Sequence, residues 1–142
     1  MSASGRRIVI ACLLCLGLAA GRCDEEEPAA AGGDPGTTIA LPSGGSAEWL
    51  DVVSDTAGVE GATARFRFID QNLKAGEDRG EDMQKLCDTF ALERVAGMVP
   101  APRQIVITLA DRPVPFGQTD PEAVQLFEAY RLENAACIWE MF

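Results

Sequence analysis

TARFRFID, residues Thr63–Asp70, carries the clearest secondary-structure signal in the chain. Ala64, Phe66 and Phe68 fall on one side of an extended segment, and Arg65 and Arg67 on the other. That is the period-two alternation of a strand with one packed and one wet face. An anion could sit between the two arginines, but alternation already accounts for them as solvated positions.

Downstream, the period changes at Gly80. Met83, Leu86, Cys87 and Phe90 follow the i, i+3, i+4, i+7 spacing of an amphipathic helix, with Glu81, Asp82, Lys85 and Asp88 outside. Glu77, Asp78, Glu81 and Asp82 crowd its first turns, where the helix dipole favours negative charge. Gly97 ends it, and Pro100 and Pro102 confirm the break. The apolar stripe places Cys87 on the buried side.

QIVITLA, Gln104–Ala110, is apolar on both faces and rich in β-branched residues, which marks a central strand. Asp111–Gly117 contains two prolines without donors and reads as an exit loop or an edge segment. Its stiffness makes Asp111, Arg112 and Phe116 candidate partner-binding residues. Asp120 and Pro121 read as an N-cap and first position of one or two helical turns. Phe127, Ala129 and Arg131 then alternate with Glu128, Tyr130 and Leu132 as a strand would, followed by a turn at Glu133–Ala135 and a last strand at Ala136–Glu140 that carries Cys137.

On the N-terminal side, Ile39–Ser46 reads as a short strand entering a Gly-rich turn, with Pro42 favouring an edge position. Ala47–Ser54 is a strand with apolar residues on both faces, and Asp55–Gly61 a turn. These segments predict an α+β fold over residues 38–142, a single domain in which a small, mostly antiparallel sheet carries one main amphipathic helix packed on one face.

Residues 22–37 have linker composition: the acidic run Asp24–Glu27, then alanine, glycine and proline. The acidic run lacks the Gly-fixed loop of a calcium site and reads as a solvated tail. In residues 1–21, Arg6 and Arg7 lead into the apolar run Ile8–Ala20, the layout of a secretory signal peptide. That run is shorter than the roughly 20 residues a spanning helix needs. Two special export routes fit less well: Gly5 precedes the arginine pair where Ser or Thr suits a twin-arginine signal, and Arg22 precedes Cys23 where lipoprotein processing needs a small residue. The expected location is periplasmic or secreted, with a lipid anchor at Cys23 as the lesser alternative and no stable membrane insertion after cleavage.

The chain carries 22 acidic and 12 basic residues for a net charge of −10, and Arg6, Arg7 and Arg22 lie in or beside the leader. Such a surface repels nucleic-acid phosphates and suits solubility or a cationic partner. Of the 5 cysteines, Cys12 and Cys15 belong to the leader. Cys23 lies in the linker, while Cys87 and Cys137 share apolar settings, so these two are the expected bridge in an oxidising compartment. It would contribute up to about 4 kcal/mol in the chain-entropy model. Two buried free thiols remain the alternative.

No histidine is present, which removes the commonest general base, the commonest metal ligand and every Ser-His or Cys-His arrangement. No phosphate-binding Gly-rich loop or paired-cysteine zinc spacing appears. Two-carboxylate hydrolysis is open only if the fold builds a cleft. The chain is therefore read as a non-enzyme, with no catalytic, cofactor or metal residues assigned. Tyr130, Trp139 and Phe142 are either core or an aromatic docking patch.

The segments Gln104–Gly117 and Leu126–Glu140, with the sequence FEAYR…CIWE, resemble a family of small exported alphaproteobacterial proteins of unknown function. The likeness extends through Leu41–Gly44, Arg65–Phe68 and Met83–Leu92. It implies export and the Cys87–Cys137 pair, and supplies no catalytic residues. The family's last turn is a Gly-containing hairpin, where this chain has Glu133-Asn134-Ala135-Ala136. A thiamine diphosphate enzyme such as acetolactate synthase needs large paired α/β domains and a metal–pyrophosphate motif, and the chain has neither. The expected function is a non-catalytic binding or assembly accessory that presents a sheet edge or aromatic patch to an envelope protein. A small inhibitor of an envelope or host hydrolase, acting through Asp111–Gly117, is the second reading.

Overall fold

The computed structural model describes residues 34–56 and 61–141. The leader, residues 22–33 of the linker with Cys23, residues 57–60 of the Asp55–Gly61 turn and Phe142 lie outside the described residues, and the expectations for them rest on sequence.

Six strands are found among the described residues: β1 (Thr38–Ala40), β2 (Ser46–Asp55), β3 (Thr63–Ile69), β4 (Gln104–Ala110), β5 (Gln125–Glu133) and β6 (Ala136–Glu140). They form one sheet in which spatial order equals chain order. Every neighbouring pair is antiparallel except β3 and β4. That pair is parallel because the chain must cross back between them, and the crossing carries the helix. The helix, α1, comprises α-helical Gly80–Leu86, a π-helical turn Cys87–Ala91 and α-helical Leu92–Val95. In the π turn the Leu92 N–H donates to the Cys87 carbonyl five residues back, and Cys87, Phe90 and Ala91 are all buried.

The fold is mostly β and corrects the expected α+β layout. Strand makes up 39% of the described residues and the helix only 16 residues, and the sheet is mixed and curled into a half-barrel, so no helix layer lies on a small antiparallel sheet. Two local readings account for the difference. Asp120 and Pro121 start a turn instead of a helix: the Asp120 carboxylate accepts the Glu122 N–H, and the Ala123 N–H returns to the Asp120 carbonyl. Val124 and Leu126 are thereby free to pack against the core from an extended chain. The other difference is the parallel β3–β4 pair, which strand patterns alone do not specify.

Phe90 of α1 is the centre of the core. Its ring meets Trp49, Phe68 and Phe66 edge-on at 5.1, 5.3 and 6.4 Å between centroids, the arrangement that aromatic quadrupoles favour. Met83, Leu86 and Cys87 are buried along the same stripe. At the other side of the curl, Cys87 meets Cys137 of β6, with sulfurs 1.98 Å apart. Asp82, expected outside, is buried at 1% exposure, because Ser43 and Arg79 bind its carboxylate.

A bulge in β2 decides what lies on the far face. Trp49 pairs with Phe68 and Asp51 with Arg67, so the register slips by one residue between them. Trp49 therefore faces the core while Asp51, two residues on, faces the other way beside Arg67.

Candidate functional site

Of the concavities among the described residues, two stand on opposite faces of the sheet. The larger is an open groove of about 640 Å³ between α1 and the β5–β6 hairpin. Parity along the strands builds it: Tyr130 pairs with Trp139 and Leu132 with Cys137, which puts Glu128, Tyr130, Cys137 and Trp139 on the face toward α1. Trp139 is 51% exposed, and its indole N–H donates to the Glu128 carboxylate. Across the groove, the Gln84 amide donates to Asp88 and to the Cys137 carbonyl, 3.1 Å away, fixing helix to hairpin beside the sulfur bridge.

The groove is acidic. Asp78, Glu81, Asp88 and Glu128 line it, against Lys85 as the single cation among the described lining residues. The Tyr130 phenol, pushed up by burial and by Glu128 and Asp88, stays protonated and can donate a hydrogen bond. An aromatic wall with a carboxylate rim is suited to a cationic side chain, through cation–π attraction and charge pairing together.

The smaller concavity, about 350 Å³, lies under the exit loop on the opposite face. Its floor is one row across the sheet, in which Arg67 pairs with Thr108 and Thr108 with Phe127. The loop closes over it because the Arg67 guanidinium donates to the Val114 carbonyl at 2.7 Å while pairing with Asp51. Phe116 then lies over both Arg65 and Arg67, about 6 Å from each guanidinium carbon.

The three loop residues singled out from sequence separate in the structure. Asp111 pairs with Arg112 at 3.0 Å and accepts the Val124 N–H, so it anchors the loop base. Arg112 is exposed beside it, and Phe116 is 59% exposed above the arginines. The loop is tied back against the sheet rather than projecting from it. Of the proposed aromatic patch, Tyr130 is buried and Trp139 exposed. Cys87 and Cys137 are brought to bonding distance.

Sequence reading did not find the groove. Its signal was present as strand parity: Glu128 and Trp139 share a face with Cys137. Among the described residues, no cluster of three or more Cys, Asp or Glu is placed to hold a metal ion, and no helix is long and apolar enough to cross a membrane. No curated protein and no solved structure matches the chain significantly. A family does: the sequence model of the family of unknown function DUF6497 matches residues 15–142, and this chain belongs to that family.

Proposed function

We propose that this protein is an exported, non-catalytic binding module whose groove between α1 and the β5–β6 hairpin receives a cationic segment of an envelope protein. The supporting observation is the groove itself, in which Trp139 stands half-exposed among Asp78, Glu81, Asp88 and Glu128. A single exposed tryptophan in an acidic groove of this volume is the usual anchor geometry of a protein interface. The Cys87–Cys137 bridge and Gln84 hold both walls, so little order is lost on binding.

Export to the periplasm or beyond fits this reading, since the bridge needs an oxidising compartment. Affinity recovery from a periplasmic extract tests it. The wild-type protein is expected to retain a specific basic partner that a Trp139→Ala, Glu128→Gln variant loses. Recovery of nothing above a charge-matched control overturns the proposal.

A further inference from the structure

The concavity under Asp111–Gly117 has a chemistry opposite to that of the groove. Arg67 is neutralised by Asp51 and immobilised by Val114. Arg65, one turn of the pleat away on the same face, makes no ion pair or hydrogen bond among the described residues. It is held only by aromatic rings, with its guanidinium 5.8 Å from Phe116 and 5.9 Å from Phe127. Burial, with Arg67 nearby, pushes Arg65 below the ordinary arginine range, as expected of a cation without a counterion.

A second, independent observation lies on the floor. Thr108 is 3% exposed, and its hydroxyl is buried with no hydrogen-bond partner. Buried polar groups are nearly always paired, and an orphan on a residue that lines the same cavity as an unpaired cation calls for an explanation. Valine would fill the same space on a central strand without that penalty.

We propose that this concavity is a binding site for a small organic monoanion, a carboxylate carried on an apolar body. Arg65 supplies the charge and Thr108 the hydroxyl donor, while Phe116, Phe127 and Val114 enclose the apolar part. Charge counting sets the valence: Arg65 and Arg67 bring two positive charges and Asp51 removes one, which leaves one for the ligand. A phosphate dianion would lack a second free cation. The volume, about 350 Å³, is at the small end of ligand sites and suits a molecule of few heavy atoms. The site is independent of the groove on the other face.

Titration of the purified, oxidised, isotope-labelled protein with phenylacetate, inorganic phosphate and phenethylamine, followed by amide and arginine side-chain NMR, tests the assignment. Phenylacetate is expected to give saturable shifts at Arg65, Thr108 and Phe116, and the other two probes none there. Arg65→Gln should weaken phenylacetate at least about tenfold, as loss of a charge-assisted pair does. Thr108→Val should weaken it by a smaller factor, while Arg65→Lys stays within a few-fold of wild type. No saturable shift at the solubility limit of phenylacetate overturns the proposal, as does equal binding by Arg65→Gln. Phosphate binding as tightly as phenylacetate overturns the monoanion assignment.

Discussion

The Arg79 guanidinium donates to Asp70 across 2.7 Å, tying the start of α1 to the residue that follows β3. The same group pairs with Asp82 and Glu77, and Asp82 also accepts the Ser43 N–H and hydroxyl. One buried cation thus joins three parts of the fold. Replacing Arg79 with Ala leaves two buried carboxylates unpaired and should lower stability by about 3–5 kcal/mol. Urea denaturation at neutral pH measures it, and a change within error would show that the network contributes little.

The same network predicts an acid limb. Burial opposes ionisation of Asp82, but hydrogen bonds from Ser43 and Arg79 outweigh it, and the carboxyl lies below its ordinary range. A group depressed in the folded state contributes stability that is fully present above its unfolded value and is lost as pH falls through the folded value. Wild type should therefore lose melting temperature more steeply on acidification than Asp82→Asn, which starts lower at neutral pH. Parallel curves would remove Asp82 from the acid transition.

The Cys87–Cys137 bridge closes a separation of 50 residues. Its loss in a Cys87→Ser, Cys137→Ser double variant should cost up to about 4 kcal/mol. Intact mass after alkylation, with and without reductant, counts the protected cysteines directly. Alkylation of both without reductant would show free thiols, and the same spectrum reports cleavage of the leader.

Asn134 and Ala135 form the β5–β6 turn with φ of 50° and 58°. Two positive φ values in a two-residue loop are what the twist of a hairpin demands. Alanine is poorly suited to that conformation, so Ala135→Gly should stabilise by about 1 kcal/mol. Thermal unfolding of the variant checks the sign, and a lower melting temperature would contradict it.

Much of the fold was legible because its strongest patterns are local. TARFRFID and QIVITLA became β3 and β4, and the Met83–Phe90 stripe became the buried side of α1. What escaped depended on partners distant in the chain. Asp82 reads as solvent-facing until Arg79 and Ser43 close on it. Asp51 reaches Arg67 only through a bulge that no periodicity records. Asp120-Pro121 fits a turn as well as a helix start, and the demand of the core for Val124 and Leu126 decides between them. Arg65 and Arg67 are alike in alternation, yet one is ion-paired and the other, among the described residues, is not, a difference set by β2 and the exit loop.

Strand order across the sheet has a kinetic meaning. Since β1 through β6 lie side by side as they occur in the chain, each new strand can add to a template already made. The β1–β2, β2–β3 and β5–β6 closures are short, and short closures carry low entropic barriers. The last strand of that order, β6, is the one that brings Cys137 to Cys87. The covalent bond is placed as a latch between that last strand and the helix that crosses from β3 to β4.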